Sequence, residues 1–184
     1  MKYFYVKSMG TVDIHLLQEL CEGLQALFPY PFRIVQNMSY PLYAFEPRRS
    51  QYYAKKIIEQ LLCEIPGDCE KMLCVTDVDL CTPVLTFVFG EAQLDGKVAI
   101  VSLNRLRQEF YALPSDCAML KDRLVKECIH ELGHCYGLYH CHDSQCVMFL
   151  SNNLISVDNK QRDFCDQCKE FFRTKIIKET HGQE

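Results

Sequence analysis

Apolar positions along the chain follow two rhythms, and the switches between them predict the elements. Tyr3 to Val6 alternates with a period of two, as a strand does, whereas Val12 to Phe28 repeats apolar residues at helical spacing. Pro29 and Pro31 close that helix, and Phe32 to Val35 predicts a second strand. Pro41 to Arg49 reads as a surface loop. Gln51 to Cys63 reads as an amphipathic helix stopped by Pro66-Gly67. Lys71 to Thr76 predicts a short apolar strand, and Val84 to Phe89 is a further β-rich run. The turn signal Asp95-Gly96 leads into Val98 to Leu103, so these last two strands are expected to be neighbours. Ser115 to Tyr136 returns to helical spacing, with Ser115 or Asp116 as N-cap before Met119, Leu120, Leu124 and Ile129. Asp158 to Lys178 predicts a last long helix. Strands mixed with helices, followed by a helical C-terminal half, imply an α+β domain with a mixed sheet. There is no glycine-rich phosphate loop.

Composition narrows the function classes. The chain has 184 residues, 48% of them hydrophobic, which predicts one domain with a sizeable core. A net charge of −4 without a basic block argues against a nucleic-acid partner. No apolar run is long enough to cross a bilayer, so no membrane partner is expected. Met1 to Gly10 lacks the basic start, apolar core and cleavage site of a signal peptide, which predicts a cytoplasmic protein. Oligomeric state has no sequence signal.

Twelve cysteines change that picture. In a cytoplasmic protein they favour metal ligation or buried free thiols over disulfides. Cys141, Cys146, Cys165 and Cys168 crowd together and include a C-x-x-C pair. Four clustered thiolates can hold a closed, structural zinc; two disulfides or four free thiols are the alternatives. The other eight sit among apolar residues, as in Met72-Leu73-Cys74-Val75, and read as core. Cys128 and Cys135 read as packing residues.

The segment His130-Glu131-Leu132-Gly133-His134-Cys135-Tyr136-Gly137-Leu138-Tyr139-His140 carries the chemistry. His130 and His134 are one helical turn apart on the same face, within reach of one tetrahedral metal. Glu131 flanks that face without being a ligand, where a general base for a water proton belongs. Gly137 can take the left-handed backbone that ends a helix, so that His140 returns as third ligand. Three neutral histidines leave one position of a zinc ion open. His15, His142 and His181 have no such context and read as surface residues.

That segment, with Cys141, Cys146, Val147-Met148 and Cys165-x-x-Cys168, resembles the archaemetzincins over about the last third of the chain. Val75-Thr76-Asp77-Val78-Asp79-Leu80 and Phe87-Val88-Phe89-Gly90 resemble the family more loosely. The resemblance implies a metzincin-like fold: a mixed sheet, an active-site helix and a helical C-terminal subdomain. The implied organisation is one catalytic domain, residues 1–184, with a sheet lobe over about 1–137 and a zinc-bearing lobe over about 138–184. It implies two zinc ions per chain, one catalytic at the histidines and one structural at the four cysteines. Met148 would be the Met-turn residue beneath the metal. Leu150 stands where some metzincins have a tyrosine near the zinc, so no tyrosine ligand is expected. Val84 to Phe89 resembles the edge strand on which metzincins lay a peptide, an ordinary core strand being the alternative. The implied function is hydrolysis of a peptide substrate by a zinc-bound water with Glu131 as base. Two rivals are a zinc-stabilised peptide-binding protein with little turnover and a zinc-ribbon-like interaction module.

Overall fold

The computed structural model describes residues 1–181, with side chains through residue 178. A five-stranded sheet runs in the order β2-β1-β5-β8-β7, formed by β1 (Tyr3–Met9), β2 (Phe32–Val35), β5 (Cys69–Thr76), β7 (Gly90–Ala92) and β8 (Val98–Ser102). The first four strands are parallel, and β7 is antiparallel at the edge. A smaller sheet, β3-β4-β6, joins β3 (Phe45–Glu46), β4 (Gln51–Tyr53) and β6 (Leu80–Cys81). The fold is therefore mixed.

Helices cover both faces of the large sheet. On one face α1 (Ile14–Gln25) and α3 (Cys117–Cys135) pack on Phe4, Val6, Leu73, Val75, Ala99 and Val101. On the other face α2 (Ala54–Leu62) packs on Tyr5, Met72, Cys74, Val98 and Ile100. The alternation Met72/Leu73/Cys74/Val75 thus serves two cores, which is why so central a parallel strand reads as one continuous apolar run. After β8 the chain is helical, with α3 followed by α4 (Leu154–Asn159) and α5 (Asp166–His181).

Three sequence expectations need correction. Val84 to Phe89 is not a strand, apart from a single bridge at Val88 to Leu80. Backbone carbonyls in and just before it are taken by side chains instead. The Arg49 guanidinium donates to Thr82 O at 2.8 Å and to Leu85 O and Thr86 O at 2.7 Å, and Gln51 Nε2 donates to Thr86 O at 2.9 Å. The strand next to β8 is β7, just beyond that segment. The helix expected from Gln51 begins only at Ala54, because Gln51–Tyr53 pairs with β3 and β6. The helix expected over Asp158 to Lys178 is split between α4 and α5. At the break Lys160 turns fully inward to meet Glu127 of α3 at 2.7 Å, a contact that the spacing of apolar residues does not carry.

Candidate metal centres beside an edge strand

Helix α3 carries the histidine motif, and its ends are fixed by local chemistry. The Asp116 carboxylate caps the start by accepting from Met119 N at 2.9 Å. At the other end Gly137 has φ +81°, Leu138 N–H donates to Gly133 O at 3.0 Å, and Gly137 N–H donates to His134 O at 2.8 Å. This paired closure satisfies carbonyls that a helix end normally leaves open. The remaining carbonyls are also met: Asp95 N–H donates to His134 O, and the buried Lys71 ammonium donates to Cys135 O at 3.2 Å. Beneath the helix lies Met148, wholly buried, with its sulfur 2.5 Å from where a Cβ on Gly133 would stand. Gly133 is what lets the turn at Met148 come so close.

The three histidines converge. Their ligand atoms lie within 4.8 Å of one another, with His130 buried, His134 half-buried and His140 exposed. His130 Nδ1 is 2.8 Å from Val147 O, and His134 Nδ1 is 2.7 Å from Leu138 O. A carbonyl can only accept, so both Nδ1 atoms carry the proton and both Nε2 atoms present lone pairs. These two Nε2 atoms face each other at 3.1 Å. Burial, aided by the Lys160 ammonium, holds the His130 imidazole well below its ordinary pKa. Burial likewise lowers His134 and His140. Neutral rings with opposed lone pairs repel each other unless a cation lies between them. A tetrahedral zinc at about 2.0–2.1 Å from each nitrogen sets them about 3.3 Å apart, so the donor set fits.

The four cysteines form a second group, with sulfurs within 4.8 Å of one another. No cysteine is in a disulfide, and Cys141 Sγ and Cys165 Sγ are 3.8 Å apart. A zinc tetrathiolate with bonds of about 2.3 Å has edges of about 3.8 Å. Backbone N–H groups of Asp143 and Cys165 point at Cys141 Sγ and Cys146 Sγ, at 3.5 and 3.3 Å. Burial raises the Cys146 thiol. At Cys165 burial is outweighed by the Cys168 N–H and the neighbouring sulfurs, which leave that thiol lowered. Two loop residues in sequence, His140 and Cys141, thus belong to the two different centres.

Glu131 is buried on α3 between the histidines and the sheet. Burial, reinforced by the Glu127 carboxylate one turn earlier, raises its pKa well above the ordinary carboxylate value. Its side chain lies against β7, and Gly90 is the strand residue it meets. A cleft of about 670 Å3 runs past the histidines between β7 and the loop bearing Tyr139, His140 and Leu150. The cross-strand bonds Ser102 N–H to Phe89 O and Gln93 N–H to Val98 O fix the alternation along β7. Gly90 and Ala92 therefore turn their backbone polar groups toward the free edge.

Cys128 and Cys135 are fully buried in the core, whereas Cys63 and Cys117, expected there, are exposed at helix ends; His15 and His142 are exposed. The side chain of His181 lies outside the described residues. Gly90, Glu127 and Lys160 were not singled out from the sequence. Glu127 had a signal, since it shares the face of His130, Glu131 and His134. Gly90 and Lys160 had none, because their contacts are distant in sequence.

The family model for peptidase family M54 matches residues 29–174. The archaemetzincin of Methanocaldococcus jannaschii is 40% identical over 163 residues, 89% of this chain and 88% of that protein. The archaemetzincin of Pyrococcus horikoshii is 38% identical, covering 84% of each. The crystal structure of archaemetzincin from Methanopyrus kandleri superposes with a TM-score of 0.84 at 31% identity, over 96% of both chains. The zinc-dependent peptidase from Methanocorpusculum labreanum gives 0.83 at 34% identity, over 92% of this chain and 99% of that one.

Proposed function

The chain belongs to peptidase family M54 and is a zinc metallopeptidase; we propose that His130, His134 and His140 hold its catalytic zinc and that Glu131 is the general base. The observation that carries this reading is the pair of opposed Nε2 lone pairs at 3.1 Å, a repulsive arrangement without a cation. When bound, zinc at an open three-histidine site polarises a carbonyl and acidifies water. Glu131 takes a proton from the attacking water and passes it to the leaving amine. Burial and the Glu127 carboxylate raise its pKa, which makes the ionised carboxylate a stronger base than an exposed one. Gly90 and Ala92 bind an extended peptide by strand addition, aligning its backbone along the cleft. Tyr139 and Leu150 form the opposite rim.

Cys141, Cys146, Cys165 and Cys168 would hold a second, structural zinc, for two ions per chain. Gly137 and Met148 support the first centre, one by turning the chain and the other by filling the space beneath α3. The chain then acts as one catalytic domain, with a sheet lobe over about residues 1–137 and a zinc-bearing lobe from about 138 onward.

Elemental analysis tests the reading, paired with cleavage of an internally quenched peptide library. Wild type is expected to hold two zincs, and a folded His130→Ala/His134→Ala variant one. Glu131→Gln is expected to keep both metals and lose about 10²–10⁴-fold in peptide cleavage. Two bound zincs with no cleavage of any peptide in the library would favour a zinc-stabilised binding protein.

A further inference from the structure

We propose that Gly90 is a positioning residue for catalysis: its missing side chain is the slot in which the Glu131 carboxylate rests against the substrate-binding edge. The inference rests on the reading of Glu131 as base. A Cβ built on Gly90 would lie 2.6 Å from Glu131 Cγ and 2.7 Å from Glu131 Oε1. Real Cβ atoms do not approach other atoms so closely, so any side chain at residue 90 drives the Glu131 carboxylate away. The positive-φ argument for glycine does not apply, since the left-handed glycines are Gly10 and Gly137. What residue 90 requires is space.

The same residue faces the substrate with its backbone. Gly90 lies on the free edge of β7, with its polar backbone groups directed outward. One residue therefore meets the incoming peptide strand on its edge and the general base on its face. Glu131 is buried and lines the cleft beside that strand, so a shift of its carboxylate changes its position relative to the bound peptide. The distance between the base and the peptide backbone is set by direct contact at Gly90 rather than by the reach of a flexible side chain. A displacement of about 1 Å in such a constellation can cost on the order of 100-fold in rate.

A Cβ at residue 90 would also lie 2.7 Å from Ile100 O, in the neighbouring strand. Gly90→Ala alone could therefore act through the sheet, and the test must separate the two contacts. Unfolding is measured in urea on Gly90→Ala, Glu131→Ala and the double variant, alongside zinc content and peptide kinetics. In the Glu131→Ala background the Cγ and Oε1 atoms are gone and only the Ile100 contact remains. Gly90→Ala is expected to lower the folding equilibrium constant at least about tenfold less in that background than in wild type. The single variant is also expected to keep its zinc and to lose about 100-fold in kcat, well beyond any change in KM. An equal stability penalty in both backgrounds overturns the proposal and assigns the glycine to the strand pairing. If Gly90→Ala does not fold, the double variant decides. Folding there supports the slot, and failure to fold overturns it. Full peptidase activity in Glu131→Ala would instead remove the general-base reading, leaving the packing relation between the two residues intact.

Discussion

At the scale of single residues, the site depends on imidazoles kept neutral. Burial depresses His130, His134 and His140 below the ordinary 6.5. The unfolded chain takes up protons at these histidines as the pH drops through about 6.5, while the folded protein resists. The unfolded state then binds more protons, so stability falls with acidification until the folded-state values are reached. These groups contribute no slope above that window, where they are neutral in both states. Glu131, whose raised pKa acts in the opposite direction, is common to wild type and His130→Phe, so the comparison is differential. Below about pH 7 the urea midpoint of the chelator-stripped wild type should lose more on acidification than that of His130→Phe. Parallel pH profiles in the two proteins would contradict the assignment. The pair His130/His134 was legible because helical spacing is a local rule, and Gly137 because helix closure is another. Gly90 was not, since nothing within a few residues of it announces Glu131 forty-one positions later.

At the scale of elements, α3 and the segment after it are joined by charge as well as by apolar packing. Arg123 makes a two-pronged contact with Asp158, at 2.6 and 2.8 Å. Lys126 Nζ donates to Asp158 O at 3.0 Å, and Lys160 meets Glu127 at 2.7 Å. The last pair is buried on both sides, and its ammonium is 3.5 Å from His130 Nδ1. A buried pair adds little net stability, but removing one partner strands the other. Lys160→Met should therefore cost about 3–5 kcal/mol, and Lys160→Met/Glu127→Leu should recover most of it, as read by urea unfolding. Equal losses in the two variants would show that the pair does not matter as a pair. Such seams explain where element boundaries escaped the apolar pattern. Lys160 falls within the run expected to be one helix and is a buried break. Val84 to Phe89 looked like a strand, yet a guanidinium supplies the hydrogen bonds that a neighbouring strand would have given. Strand β1 and helices α1 and α3 were legible because their rhythm coincides with the faces they bury, and β5 and β8 because a strand buried on both faces is a continuous apolar run.

At the scale of the whole molecule, the two centres share a loop. Cys141 N–H donates to Met148 O at 2.9 Å, and Cys141 bridges to Phe149, so the turn beneath α3 and the thiolate cluster hold each other. Phe172 of α5 packs edge-on against Tyr136 and Phe28, fastening the last helix to the end of α3. Cys165→Ser/Cys168→Ser should thus lose one zinc outright and hold the other about 10–100-fold more weakly, measured by competition with a chromophoric chelator. Unchanged affinity at the histidines would mean the centres are independent. A helix usually frays first at its last turn. Here that turn is tied by Lys71 of β5, by the backbone of Asp95 in the β7–β8 turn, and by its own returning chain. Loosening it means parting three elements at once, so Glu131 and His134 sit where opening requires most of the fold to open. The end of the helix that carries Glu131 and His134 is then expected to open only together with the elements that hold it.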